Sequence, residues 1–300
     1  MLPAPEPEDS AEIARYARLI LHRAGVGDRL PTPIADIVAC AELVVSQDIT
    51  LSEVHADFFS SSFGVLHEAL KKVLGLVDLR EKVIYLDTTQ LPQRQAFVKL
   101  HEVGHDVLPW QRAAYMYLDD ETTLDPQVKD LFEQQANQFA AHVLFQLNRF
   151  QKDAADLPLS IRSPLALAKR YGASVHASVR RYVETSKRAC ALVITESVPG
   201  VGPQGSHLHV RQVIQSPKFE YRFATLKWQP RVSCDLPYIE PLLRGGRLHL
   251  IENHEVQLPD VSGNTVRCTV EVFSNTYNFF ILIFPHDEKV RSRTRIELVR

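Results

Sequence analysis

Cysteine is scarce in this chain of 300 residues, and the four present, Cys40, Cys190, Cys234 and Cys268, stand far apart. None forms a C-x-x-C pair, so neither a disulfide scaffold nor a cysteine-ligated zinc site is expected, and a reducing compartment fits. Charge imbalance is missing too. The net charge of −2 removes any global electrostatic case for nucleic acid or an anionic membrane, so a basic patch must be local. No apolar run approaches the ~20 residues of a membrane span. The first ten residues are proline-rich and acidic, without the positive end and apolar core of a signal peptide. A cytoplasmic protein without membrane contact is the expectation. Apolar residues still make up 45% of the chain, enough for a real core, and the length suggests two domains or three small ones.

The most informative stretch is Leu100-His-Glu-Val-Gly-His-Asp-Val-Leu108. His101 and His105 are four apart, so on a helix they share a face and can offer two imidazole nitrogens to one metal ion. Glu102 lies about 100° further round, off the ligand face but within reach of a water on the metal. Two His ligands with a Glu general base are the arrangement of a zinc peptidase. The apolar neighbours Phe97, Val98, Leu100, Val103, Val107 and Leu108 predict a mostly buried helix, in which His and Glu need partners. Gly104 costs about 1 kcal/mol inside a helix relative to Ala, which points to close approach by another element.

Upstream, the pattern predicts a helix carrying Ile13, Tyr16, Ala17, Ile20 and Leu21 on one face, with Asp9 and Glu12 at capping-box spacing and Gly25 at its end. A second helix follows from Ile34. The region 51–72 reads as two short helices. Residues 73–78 and 82–87 read as a hairpin, whose edge suits an extended peptide aligned with the metal. The metal-site helix starts near Pro92. After Trp110 an acidic stretch reads as a loop, and a long helix runs from Pro126 to Phe145. Ala136, Ala140 and Ala141 give that helix a narrow face, which also carries Glu133. Glu133 is therefore the candidate third ligand, leaving a fourth position for water. Asp130 and His142 are its rivals, although His142 lies about 180° round the helix from Glu133 and cannot serve the same site. Asp106 and Asn137 are candidates to orient the His ligands. Tyr115, Tyr117, Arg94 and His142 are unranked candidates to stabilise an oxyanion.

These two segments resemble a known family. Arg94-Gln-Ala-Phe-Val-Lys-Leu-His-Glu-Val-Gly-His105 with Glu133-Gln-Gln-Ala-Asn-Gln-Phe-Ala-Ala141 is similar to the paired helices of the ImmA/IrrE metallopeptidases. The resemblance covers about residues 73–186. It implies a zincin-like fold, His101, His105 and Glu133 as metal ligands, and Glu102 as the catalytic residue. The second helix of the family usually ends in an L-L-M-P-like stretch, where this chain has Val143-Leu-Phe-Gln146.

Ser163-Pro164 reads as an N-cap with a first-turn proline. Residues 164–171, a turn at Gly172 and residues 174–186 then read as a helix-turn-helix. Between Asp156 and Cys190 stand seven basic residues (Arg162, Lys169, Arg170, Arg180, Arg181, Lys187, Arg188) against Asp156 and Glu184, a balance of +5. A DNA-binding helix and a helical pair with a solvated basic face both fit. From Ala189 the pattern changes to strands, at 191–195, 207–215, 221–228, 247–251, 266–273 and 278–284. His207 and His209 would share one strand face.

The whole is expected to be an α+β multidomain protein: a zincin-like metallopeptidase domain over 1–155, a helix-turn-helix over 156–188 and a C-terminal α/β domain over 189–300. By resemblance to the radiation-response members of the family, the last domain is GAF-like. The resemblance further implies Zn²⁺ (or Mn²⁺ or another divalent ion) as cofactor. As substrate it implies a helix-turn-helix repressor of the DdrO type, whose cleavage induces DNA-damage and radiation-response genes. The alternative is a DNA-binding regulator or scaffold with a structural metal site, for which Glu102 would be dispensable.

Overall fold

The computed structural model describes residues 7–46, 75–117, 125–196, 207–243, 249–275 and 277–289. The two short helices expected at 51–72 lie outside this set. The chain forms two compact units. The first comprises residues 1–150 with 169–174, and the second comprises 151–168 with 175–300.

In the first unit, α1 (Pro7–Arg23) buries Ile13, Ala17 and Ile20, one stripe at helical spacing. It begins before Asp9, so Asp9 sits inside the helix and does not cap it. Gly25, at φ +57°, turns the chain out of the helix. α2 (Ile34–Cys40) buries Ile37 and Val38. Among the described residues a three-stranded sheet follows in the order β1-β3-β2, with β1 (Val44–Val45), β2 (Gly75–Asp78) and β3 (Val83–Leu86). β2 and β3 form the expected antiparallel hairpin, with Gly75 opposite Leu86 and Asp78 opposite Val83. β1 adds a parallel edge that its two residues did not announce. α3 (Pro92–Val107) starts with Pro92 in its first turn and stops at Leu108, whose extended backbone precedes Pro109. Pro109 opens a new helix, α4 (Pro109–Tyr117), where the first part of the loop was expected; the acidic residues Asp119, Asp120 and Glu121 lie outside the described residues. α5 (Pro126–Leu144) is capped by Asp125, whose side chain accepts from the Gln127 N–H at 2.8 Å. The Thr32 hydroxyl donates to the Leu144 carbonyl at 2.9 Å at its far end.

α6 (Arg149–Asp156) follows, a helix that no expectation from the sequence covers. The helical pair is α7 (Arg162–Tyr171) and α8 (Val175–Glu184). α7 starts one residue before Ser163, so Ser163 is not its cap. Its hydroxyl donates to the Pro158 carbonyl instead, and Ser160 accepts from the Arg162 N–H.

Among the described residues the second unit is built on a six-stranded sheet in the order β6-β5-β4-β9-β8-β7, antiparallel throughout. The strands are β4 (Ala191–Glu196), β5 (His207–Gln215), β6 (Arg231–Ser233), β7 (Leu250–Pro259), β8 (Thr265–Ser274) and β9 (Asn278–Pro285). Both faces are apolar, so β4 and β9 read as nearly continuous hydrophobic runs. Val193, Val270, Val272, Phe279 and Ile281 form one cluster with Leu208, Cys234 and Ile239. Glu271, on β8, is buried and accepts from the Ser160 hydroxyl and the Ile161 N–H, both at 2.8 Å, which ties the start of the helical pair to the sheet.

The strand expected at 221–228 is absent. Ser216-Pro217 starts a helix instead, α9 (Pro217–Arg222), with the Ser216 side chain accepting from the Phe219 N–H. Phe219 and Phe223 are thereby stacked one helical turn apart with ring centroids 4.4 Å apart. Here a cap plus a first-turn proline outweighs aromatic strand propensity. The short helix α10 (Glu240–Leu243) precedes β7, and α11 (His286–Lys289) follows β9. Among the described residues no helix is long and apolar enough to cross a membrane.

Candidate metal centre

The centre lies where α3 crosses α5. The crossing is close because both helices present small residues. A Cβ added to Gly104 would lie 3.2 Å from the Phe139 ring and 3.3 Å from the Ala136 Cα. The expected close approach at Gly104 is therefore present, and the alanine face of α5 provides it.

Glu133 lies one turn before Ala136 on α5, so the crossing carries its carboxylate to the two imidazoles. The His101 Nε2 and His105 Nε2 atoms are 3.1 Å apart. The Glu133 carboxylate oxygens lie 3.1 Å from the first and 3.5 Å from the second. A tetrahedral ion with ligand bonds of ~2.1 Å separates its ligand atoms by about 3.4 Å. The three donors already have that spacing and form a cluster able to hold a metal ion. Asp130 and His142 are outside it.

Protonation follows the same geometry. Burial and the neighbouring His101 pull His105 down to about 4, so its ring is neutral at neutral pH. Burial also opposes charge on His101, but the Glu133 hydrogen bond and the negative charges of Glu102 and Glu133 outweigh it, and His101 is raised. Glu133 is lowered, because the His101 hydrogen bond and charge overcome the effect of its burial. Without metal, the Glu133 carboxylate thus favours the charged form of His101, and a metal ion would compete with that proton.

Each ring is held from behind. The His101 Nδ1 lies 3.1 Å from the Asn137 Oδ1, so Asn137 takes the orienting place expected for it. Asp106 does not orient a ligand. It is buried and pairs with Lys82 at 2.5 Å, with Arg112 at 3.7 Å, binding the β2–β3 hairpin to α3. The His105 Nδ1 lies 2.7 Å from the Oε1 of Gln111, a residue the sequence reading missed. Gln111 is six residues past His105, which in a continuous helix would put it about 240° round and ~9 Å along. The break at Pro109 folds it back.

Glu102 is 5% exposed and stands outside the ligand cluster. Its carboxylate lies against β2, since a Cβ added to Gly75 would come within 3.0 Å of Glu102 Oε1 and 2.3 Å of Val98 Cγ1. Of the oxyanion candidates, Tyr115 packs edge-on against His105 with ring centroids 5.7 Å apart. Arg94 is exposed near the start of α3, about two turns from His101.

Residues 48–182 match the family model Peptidase_M78, the IrrE N-terminal-like domain. The match spans 135 of 300 residues and includes the whole metal triad. It supports the ImmA/IrrE family and a metallopeptidase-like or regulatory role for this segment. Among solved structures, a Mycobacterium tuberculosis transcriptional regulator is similar, at 14% identity and a TM-score of 0.51 over 95% of this chain and 82% of that one. At that identity the likeness concerns the fold alone. No curated protein matches by sequence.

Outside the candidate metal site, part of the basic excess around α7 and α8 is engaged internally. Arg162 pairs with Glu252 and Arg180 with Glu184, while Arg188 donates to the Leu157 carbonyl and the Tyr182 hydroxyl. His207 and His209 are both exposed on β5.

Proposed function

We propose that the first unit is a metal-dependent endopeptidase in which His101, His105 and Glu133 hold a divalent ion and Glu102 is the general base. The carrying observation is the spacing of two imidazole Nε2 atoms and one carboxylate at 3.1–3.5 Å, with Glu102 beside His101 and outside the cluster. Zn²⁺, Mn²⁺ or another divalent ion supplies Lewis acidity and lowers the pKa of a water. Glu102 takes a proton from the attacking water and returns it to the leaving amine. Asn137 and Gln111 keep the two rings aimed at Glu133. Among the described residues β2 pairs with β3 alone, which supports an extended peptide along its other edge, next to Glu102.

The proposed substrate is a helix-turn-helix repressor of the DdrO type, cleaved in the cytoplasm to induce DNA-damage and radiation-response genes. The family resemblance supports this part. Kinship with the Deinococcus regulator IrrE, a GAF-like C-terminal domain, a helix-turn-helix at α7–α8 and the division at 155 and 188 belong to the same proposal.

Incubating the full chain with such a repressor and Zn²⁺ or Mn²⁺ should yield two fragments. A chelator, or Glu102→Gln with metal binding intact, should abolish them. A folded, metal-loaded protein that leaves the repressor whole removes the reading. The likeness to the mycobacterial transcriptional regulator supports a second reading, a transcriptional regulator with a structural metal site. Normal gene induction by Glu102→Gln would support it.

A further inference from the structure

The geometry points to Gln111 as the positioning residue that sets the tautomer of His105, so that its Nε2 lone pair faces the metal position before any ion arrives. This rests on the reading of His101, His105 and Glu133 as metal ligands. It does not depend on the site cleaving peptides.

Gln111 is fully buried. Its amide has one acceptor oxygen and one donor nitrogen, and the surroundings decide which points where. The Nε2 donates to the Phe132 main-chain carbonyl at 3.0 Å and to the Gln135 Oε1 at 3.0 Å. A main-chain carbonyl can only accept, so the amide cannot be reversed. Gln135 is constrained in turn, because its Oε1 also accepts from the Trp110 indole N–H at 2.7 Å and its Nε2 faces Asp9.

With the nitrogen committed, the Gln111 oxygen must face the His105 Nδ1 at 2.7 Å. An amide oxygen only accepts, so Nδ1 carries the ring proton. In a neutral imidazole that leaves Nε2 as the lone pair, on the side of Glu133 and His101. The other tautomer would set two lone pairs against each other in a buried site. The orientation of a metal ligand is thus traceable to a backbone carbonyl on α5, the helix that also carries Glu133.

The arrangement is one-sided. Asn137, which backs His101, is exposed, so solvent can satisfy either orientation of its amide. His105 is therefore the preset ligand and His101 the adaptable one.

Two measurements on the full chain test this. In the metal-free wild type, nitrogen-15 imidazole shifts should show His105 protonated at Nδ1; a ring protonated at Nε2 overturns the proposal. Second, Gln111→Met keeps the side-chain length and removes the acceptor. Its Zn²⁺ Kd, measured by chelator competition, should rise about 10–100-fold. Asn137→Leu should raise the Kd less. Thr32→Val, which removes a buried hydrogen bond elsewhere in the first unit, should lower thermal stability and leave both Kd and tautomer unchanged. A folded Gln111→Met protein with wild-type Kd, or a Thr32→Val Kd that rises as much, overturns the assignment. Absent cleavage with a Gln111-dependent Kd would remove the peptidase reading and leave this one standing.

Discussion

Gly104 and Ala136 meet backbone to backbone: a methyl group on the glycine would stand 3.3 Å from the alanine Cα. An exposed helix would gain about 1 kcal/mol from Gly→Ala. Here the added methyl presses on main chain and on a buried ring, neither of which can swing aside. Gly104→Ala should therefore give no rise in Tm, and it should weaken Zn²⁺ binding because α5 also carries Glu133. A clear rise in Tm with unchanged metal affinity would contradict the account.

Gly75 has the matching role on the sheet side. A Cβ there would fall 2.3 Å from Val98 and 3.0 Å from the Glu102 carboxylate. Gly75→Ala should reduce kcat at least tenfold while metal affinity changes little, because the base moves and the ligands do not. Adding Val98→Ala should relieve the steric contact and recover part of the stability. Equal losses in kcat and metal binding would argue against a local effect on Glu102.

In the second unit, Glu271 accepts two hydrogen bonds while 2% exposed. Hydrogen bonds to charged groups contribute about 1.5–3 kcal/mol each. Glu271→Ala strands the Ile161 N–H and should destabilise this unit by about 3 kcal/mol, read from denaturant unfolding. Glu271→Gln retains one acceptor and should cost about half as much. Near-equal losses would mean that the cost lies in packing.

Alkaline pH should weaken the same unit. Burial pushes the thiols of Cys190 and Cys268 up to about 11 and the Tyr182 hydroxyl up to about 12. In the unfolded chain the thiols ionise near the ordinary value of 9.0. Between about pH 9 and 11 the unfolded state therefore binds fewer protons than the native one, so stability falls as pH rises. The loss should reach on the order of 2 kcal/mol per thiol by pH 11. Cys190→Val should flatten the slope, and a flat wild-type profile across this range would refute the buried-thiol origin.

The centre was legible because its parts are local. His101 and His105 are one turn apart, and the alanine face of α5 announces both a close crossing and the side on which Glu133 lies. Strands with strong β-branched runs, such as β4 and β9, were equally plain. Gln111 was hidden because its role depends on the direction the chain takes after Pro109, which no periodicity encodes. α9 is hidden because its aromatic residues suit a strand, while its helical form depends on the Ser216-Pro217 start. β1 has two residues and exists only through β3.

The first unit closes on a segment that comes late. Phe145 and Phe150 pack on Tyr171, with ring centroids 6.1 and 5.2 Å away, and a Cβ on Gly172 would lie 3.0 Å from Pro31. A nascent chain stopped at residue 150 already holds His101, His105 and Glu133 but leaves that aromatic face uncovered. During synthesis, at about 5–20 residues per second, the unit stays unsealed until residues 169–174 have emerged. A single proteolytic cut near residue 150 would likewise leave the candidate metal ligands joined to that covering segment by packing alone.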